Sequence, residues 1–204
     1  MLMTSARAVI FDLGKVLLDF DYGLATGRLA AAGNVAPEAV HRLLFATPLL
    51  DRFESGQLTS EEFYRAVRDA TGYRLGYADF RRHFAEIFTP VAPMVALHTR
   101  LRQRAVPCYI LSNTNEIAIA HIREACPFLA GSSGFVYSFE HGCMKPAEHI
   151  YRVAESMSGF RGAELFYLDD RAENVATARR LGWQAQVHHD PAESVRAVEA
   201  TGLL

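Results

Sequence analysis

The feature that most constrains the fold of this chain is where its apolar runs stop. Ala8-Val9-Ile10-Phe11 ends at Asp12, the run from Val106 to Leu111 ends at Ser112-Asn113, and Leu165-Phe166-Tyr167-Leu168 ends at Asp169-Asp170. Short apolar runs rich in β-branched and aromatic residues, bounded by polar ones, read as buried strands. Helical spacing fills the intervals. A helix through Met94, Leu97 and Leu101 precedes the second run, and one near 115–125 leads to a short strand at Phe135-Val136-Tyr137. Another near 146–157 precedes Leu165, and one near 171–181 ends at Gly182, before a last strand from Trp183 to Val187. Alternating strands and helices imply an α/β fold, a parallel sheet with helices on both faces. In such a sheet ligands bind at the carboxyl ends of the strands. Asp12, Ser112, Asn113, Asp169 and Asp170 are therefore expected in one crevice. Lys145-Pro146, at the start of a helix, can reach the same end.

Residues from about 20 to 90 behave differently. Strand patterns vanish, and four or five helices are expected. Thr59 followed by Glu62 forms a capping signature before Phe63, Val67 and Ala70, and Pro37 opens a stretch carrying Val40, Leu43 and Leu44. The expected organisation is a core of residues 1–18 and 92–204 with a helical insertion over 19–91.

Composition narrows the function. The 204 residues carry a formal net charge of −2, so no large positive field points to nucleic acid or an anionic membrane. No apolar stretch approaches the length of about 18 residues that a membrane span needs. Three cysteines with no close pair suit a reducing compartment. The segment Met1 to Arg7 and the short run after it are too brief for a signal peptide, which places the protein in the cytoplasm. Nothing in the sequence speaks to oligomeric state.

The polar residues at the strand ends form a coherent chemical set. Two or three carboxylates can hold one Mg²⁺ through oxygen. The metal and Lys145 offset the charge of a phosphate brought near an aspartate, and Ser112 can hydrogen-bond phosphate oxygens. Asp12 is then left as a nucleophile able to form an aspartyl-phosphate.

Asp12-Leu13-Gly14-Lys15-Val16-Leu17, Leu111-Ser112-Asn113-Thr114-Asn115, Lys145-Pro146 and Leu168-Asp169-Asp170-Arg171-Ala172-Glu173-Asn174 resemble, in that order, the four motifs of the haloacid dehalogenase superfamily. The resemblance runs along nearly the whole chain. It is closest to the bacterial α-D-glucose-1-phosphate phosphatase branch, related to the N-terminal phosphatase domain of soluble epoxide hydrolases. Phe53-Glu54-Ser55-Gly56-Gln57-Leu58-Thr59, with Glu62-Phe63, resembles the helical cap of that branch. The resemblance implies a Rossmann-like core, a cap inserted after the first strand, Mg²⁺ as cofactor and a small phosphate monoester as substrate, with glucose 1-phosphate one candidate. Carried over, Asp12 is the nucleophile, and Ser112 and Asn113 contact the transferring phosphoryl group. Lys145 neutralises charge on the phosphate and on Asp12. The metal falls to Asp12, the backbone carbonyl of Gly14 and Asp170, with Asp169 a direct or water-mediated ligand.

One position departs from the superfamily pattern. Most of its phosphatases have a second Asp two residues after the nucleophile, acting as general acid. Here it is Gly14. Glycine keeps the carbonyl and loses the acid, so the proton source is unassigned.

Other polar residues point to plainer roles. His188 and His189 are adjacent on an expected strand and face opposite ways. His141 and Cys143 lack further ligands at zinc spacing. Asp19 and Asp21 read as solvated residues at the entrance to the insertion. Glu54 reads by default as a surface helix carboxylate, and Arg65, Arg68, Arg81 and Arg82 as a solvated helix face. Three rival functions stand beside the phosphatase: a 2-haloacid dehalogenase attacking through Asp12, a phosphomutase, and a non-enzymatic binding protein. The acidic pair weighs against the dehalogenase, which needs no magnesium. The intact nucleophile weighs against the binding protein, and the missing acid against the mutase.

Overall fold

The computed structural model describes residues 5–204. The reading of the N-terminus rests partly on Met1 to Thr4, which lie outside the described residues. The chain opens with β1 (Ala8–Phe11) and β2 (Leu18–Phe20). Five helices follow: α1 (Tyr22–Gly33), α2 (Pro37–Phe45), α3 (Leu49–Glu54), α4 (Ser60–Thr71) and α5 (Tyr77–Ala85). After β3 (Phe88–Pro90) come α6 (Ala92–Gln103), β4 (Cys108–Ser112), α7 (Glu116–Ala125), β5 (Gly134–Tyr137) and the short α8 (Ser138–His141). The chain finishes with α9 (Glu148–Ser158), β6 (Leu165–Asp169), α10 (Ala172–Arg180), β7 (Gln184–Val187) and α11 (Pro191–Ala200).

The five strands β5-β4-β1-β6-β7 form one sheet in that order, every pair parallel. β1 is central, with Val9 opposite Cys108 on one side and Phe166 on the other. A central parallel strand is covered on both faces, which is why all four of its residues are apolar. Its side chains alternate. Val9 and Phe11 pack with Met94, Leu97 and Leu101 of α6, Ile119 and Ile122 of α7 and Val198 of α11. Ala8 and Ile10 face Ile150, Tyr151 and Ala154 of α9 and Ala178 of α10. Helices thus cover both faces of the sheet.

Helices α1 to α5 enclose an apolar cluster of their own, built on Leu29, Leu44, Phe53, Phe63, Phe80 and Phe84. Phe53 stacks on Phe63 with centroids 4.2 Å apart. Ile117 from the first turn of α7 joins this cluster and ties the insertion to the sheet layer. The capping signature forms as the sequence predicts, Thr59 accepting from the Glu62 N–H while the Glu62 carboxylate accepts from the Thr59 N–H. Gly72 closes α4 at φ 67°, in the left-handed region that suits glycine.

Three differences from the sequence reading have local causes. β2 and β3 form an antiparallel ribbon, Leu18 opposite Pro90, where no strand pattern is legible. Three residues are too few for a period, and the pairing joins positions on either side of the insertion. β4 starts at Cys108 and not at Val106, since Pro107 has no N–H to give a ladder; its carbonyl accepts from Val9 at 3.0 Å. Helix α11 lies beyond the elements read from sequence. Its signal is present in Asp190-Pro191, where the Asp190 side chain caps the Glu193 N–H and Pro191 takes the first helical position. No helix among the described residues is long and apolar enough to cross a membrane.

Candidate active site

The strand ends converge as expected. Asp12 follows β1, Ser112 closes β4, and Asp169 closes β6 with Asp170 next in line. Together with Lys145 they surround a cavity of about 370 Å³ between the sheet and the insertion, a size suited to a small ligand. One oxygen from each of Asp12, Asp169 and Asp170 lies within 4.8 Å of the others, and among the described residues no other group of His, Cys, Asp or Glu is so arranged.

Lys145 is the hub. Its ammonium donates to Asp12 Oδ1 at 2.8 Å, to Asp169 Oδ2 at 2.7 Å and to the Leu111 carbonyl at 2.9 Å. Three donors meet three acceptors, so the ammonium is fixed in direction as well as in charge. Burial works against that charge, but Asp12 and Asp169 outweigh it and hold the Lys145 pKa above its ordinary value. Its main chain is held as well. The Asn113 side chain accepts from the Lys145 N–H at 2.7 Å and donates to the Lys145 carbonyl at 2.9 Å. The Lys145-Pro146 peptide is cis, and α9 begins only at Glu148, two residues later than expected.

Asp169 is completely buried. Its Oδ2 accepts from Lys145 and from the Tyr167 hydroxyl, its Oδ1 from the Arg171 N–H at 2.8 Å and Asn174 Nδ2 at 2.9 Å. Four donors occupy the four lone-pair positions of one carboxylate. Burial alone would raise its pKa, but Lys145, Tyr167 and the Arg171 N–H hold it below the usual carboxylate range. Asp12 is less committed. Its Oδ1 takes the Leu13 N–H at 2.7 Å and Lys145, while no hydrogen bond reaches Oδ2 among the described residues. Burial, with help from Asp169 and Asp170, lifts the Asp12 carboxyl to about 7 against the pull of Lys145. Asp170 is half-buried and shifted upward by burial and then by Asp169.

Ser112 is buried, and its hydroxyl makes only a long bond of 3.3 Å to the Asn113 carbonyl. Gly14 borders the cavity beside Phe20, and a Cβ there would sit 2.8 Å from Phe20 Cε1. Asn113, expected to contact the phosphoryl group, lines the cavity, and its side chain grips the Lys145 main chain. Asp169, expected as a direct or water-mediated ligand, stands in the carboxylate group and accepts four hydrogen bonds.

Glu54 departs furthest from expectation. It is no surface carboxylate: it closes α3, is half-buried, and lines the same cavity as Asp12. The Tyr22 hydroxyl lies 3.4 Å from its Oε1. Burial and then Asp51 push its carboxyl up to about 7, although Tyr22 and Asn115 hydrogen bonds pull the other way. The plainer readings are matched elsewhere. Asp21 caps α1, and exposed Asp19 pairs with Lys15. Arg65, Arg68 and Arg82 pair with surface carboxylates, and Arg81 lies over the Tyr77 ring. Buried His188 bonds Ser194 while His189 is exposed. Tyr167 and Asn174 were not read from the sequence. Tyr167 is two residues before Asp169 on one strand and so shares its face, the signal that points to it.

With this geometry in view the relationship to known proteins is clear. The model of the haloacid dehalogenase-like hydrolases matches residues 6–182, and the chain belongs to that family. It is 23% identical over 187 residues to a D-ribitol-5-phosphate phosphatase of Bacteroides thetaiotaomicron, covering 87% of this chain and 89% of that one. A sesquiterpene phosphatase of Aspergillus oryzae is 24% identical over 183 residues, 88% of each chain. A family enzyme of Bacteroides thetaiotaomicron, solved with magnesium and inorganic phosphate, superposes with a TM-score of 0.81 at 21% identity, over 90% of this chain and 94% of that one.

Proposed function

We propose that the chain is a magnesium-dependent phosphatase that hydrolyses a small phosphate monoester through an aspartyl-phosphate on Asp12. The observation that carries the reading is the charge at the strand ends, where the Asp12, Asp169 and Asp170 carboxylates cluster and the Lys145 ammonium pairs with the first two. That excess of negative charge, with Asp12 Oδ2 lacking a partner, fits a hard divalent cation with oxygen ligands. Asp12, Asp170 and the Gly14 carbonyl are the groups to hold it. Bound there, Mg²⁺ supplies positive charge to a phosphate that would otherwise be repelled.

The chain's own residues then divide the work. The Asp12 carboxylate attacks phosphorus, and the bond to the ester oxygen breaks. Lys145, aimed by Asp169 and by Asn113, favours the ionised form of Asp12 against its burial and directs it, and its charge falls beside the phosphoryl oxygens. The Ser112 hydroxyl, held only by a long bond, turns to a phosphoryl oxygen. Water then cleaves the aspartyl-phosphate. Preorganised charge of this kind is the larger part of phosphoryl-transfer catalysis.

Sugar and sugar-alcohol phosphates are the substrate class favoured by the cavity volume and by the D-ribitol-5-phosphate phosphatase among the relatives; glucose 1-phosphate is one member. A dehalogenase fits less well, since displacement of halide needs no divalent cation and leaves the carboxylate cluster without a task. The deciding experiment is a screen of phosphate esters for inorganic phosphate release with and without Mg²⁺. Release that requires Mg²⁺ is expected; chloride release from 2-chloropropionate in chelator, with no phosphate from any ester, would reverse the reading.

A further inference from the structure

We propose that Glu54 protonates the leaving group, and then takes the proton of the water that opens the aspartyl-phosphate, so that the helical insertion restores the acid that Gly14 removes. The inference rests on the phosphatase reading above.

The position of Glu54 is built from the core side. Its carbonyl accepts from the Ser138 hydroxyl at 2.6 Å, and Ser138 Oγ in turn accepts from the Thr114 N–H at 2.9 Å. Two residues on, Gly56 sits at φ 71° with the Phe139 carbonyl so close that a Cβ would lie 2.2 Å from its oxygen. The main chain at Glu54 and just after it is therefore seated against the corner where β5 meets α8. The side chain is left pointing into the cavity that holds Asp12, Ser112 and Lys145.

The remaining carboxyls of that cavity have other engagements. Asp12 is the nucleophile, Asp169 is fully hydrogen-bonded, and Asp170 belongs with the cation. Asp51 is exposed at the rim. Among the described residues Glu54 makes no salt bridge, and its immediate neighbours are the Tyr22 hydroxyl of α1, the Asn115 side chain ahead of α7 and the Asp51 carboxylate of α3. Lys15, Lys145 and Arg171 are the cations that line the same cavity. Burial and Asp51 bring the Glu54 carboxyl to about 7, where it carries a proton near neutrality and releases it readily. Tyr22 is the poorer donor, because burial and then Glu54 drive its pKa well above the phenolic value.

The steps balance. An Asp12 oxygen forms a bond to phosphorus, the ester P–O bond breaks, and the departing oxygen keeps the electron pair and takes the Glu54 proton. Water next attacks phosphorus and gives a proton to the Glu54 carboxylate. The bond from Asp12 to phosphorus breaks, inorganic phosphate leaves, and both carboxyls return to their starting state.

The test is Glu54→Gln, with phenyl, p-nitrophenyl and D-ribitol 5-phosphates as probes. Loss of a general acid costs about 10²–10⁴-fold where the leaving group needs a proton. In the wild type, kcat/KM should change little between p-nitrophenyl and phenyl phosphate. In the variant it should fall at least about 10²-fold for phenyl and ribitol phosphates and only a few-fold for p-nitrophenyl phosphate. Because kcat/KM stops at the first irreversible step, kcat for p-nitrophenyl phosphate should still drop, with a burst of nitrophenolate equal to the enzyme. The fall in wild-type kcat/KM above about pH 7 on phenyl phosphate should disappear in the variant. Equal losses on all probes, or none, would overturn the assignment of Glu54 and leave the phosphatase intact. If the variant does not fold, the wild-type series decides alone, a steep dependence on leaving group counting against Glu54. A wild type that releases phosphate from no ester overturns both readings.

Discussion

Asn113 holds Lys145 by its main chain, accepting from its N–H at 2.7 Å and donating to its carbonyl at 2.9 Å. An amide side chain offers an acceptor and a donor at the two ends of one planar group, which a carboxylate, having no proton to give, does not. Asn113→Ala should therefore lower kcat and cost about 1–3 kcal/mol of stability, through two buried polar groups left without partners. Asn113→Asp should do no better, because it cannot donate to the carbonyl. Thermal melts and steady-state kinetics check this; a raised KM at unchanged kcat and Tm would put Asn113 on the substrate.

Asp12→Asn should abolish turnover and leave the circular dichroism spectrum unchanged, because an amide does not attack phosphorus. Full activity in the purified variant would remove Asp12 from the chemistry.

Magnesium should raise the Tm of the wild type, since it binds the native arrangement of carboxylates and not the unfolded chain. Chelator should stop phosphate release. In Asp170→Asn the Mg²⁺ concentration for half-activity should rise at least about tenfold, the loss of about 1.4 kcal/mol of binding. An unchanged requirement would take Asp170 out of the metal site.

A carboxylate restored at position 14 faces Phe20, whose Cε1 would lie 2.8 Å from the new Cβ. Gly14→Asp alone should therefore displace the ring, and with it the packing of Phe20 on Tyr22 and Phe88. Joined with Phe20→Ala in the Glu54→Gln background, it should recover part of the lost rate on D-ribitol 5-phosphate. Melting curves of the single, double and triple variants separate the steric cost from the chemical gain.

His98 sets an acid limit on the fold. It is fully buried between the rings of Phe11 and Phe128, with Nε2 3.0 Å from Ser132 Oγ and, among the described residues, no partner on Nδ1. Burial, then Arg102, lowers its pKa from 6.5 to about 4. The unfolded chain binds this proton more readily than the folded one, so the stabilisation is complete above about 6.5 and is lost as the pH falls towards 4. The loss is on the order of 3 kcal/mol. Denaturant titrations across that range should show it, and His98→Leu should flatten the difference.

Much of the site was legible because each apolar run stops at the residue that matters. Asp12, Ser112 and Asp169 need only the end of a strand to be placed, and parallel pairing does the rest. Glu54 was not legible in this way. Its burial is decided by Ser138 and Phe139, far along the chain, and by a glycine whose meaning appears only when a carbonyl lies against it. For Asp169 and Asn113 the position was legible and the hydrogen bonds were not, since sequence reports which polar groups are near and not which lone pairs are taken. The ribbon of β2 and β3 escaped for a related reason, its two strands being separated by the whole insertion.

The central place of β1 has a consequence for how the protein is born. Its two neighbours, β4 and β6, leave the ribosome long after it does, and Val9 must wait first for Cys108 and then for Phe166. Helices α1 to α5 emerge in that interval and contact one another through short stretches of chain, which lets them assemble early. The nascent polypeptide therefore carries a folded bundle behind an exposed Ala-Val-Ile-Phe segment, one of whose hydrogen-bonding edges is open until β4 has emerged and the other until β6 has. That segment is the part of the molecule most in need of a chaperone, and a chain cut short before Leu165 would keep it uncovered on one side.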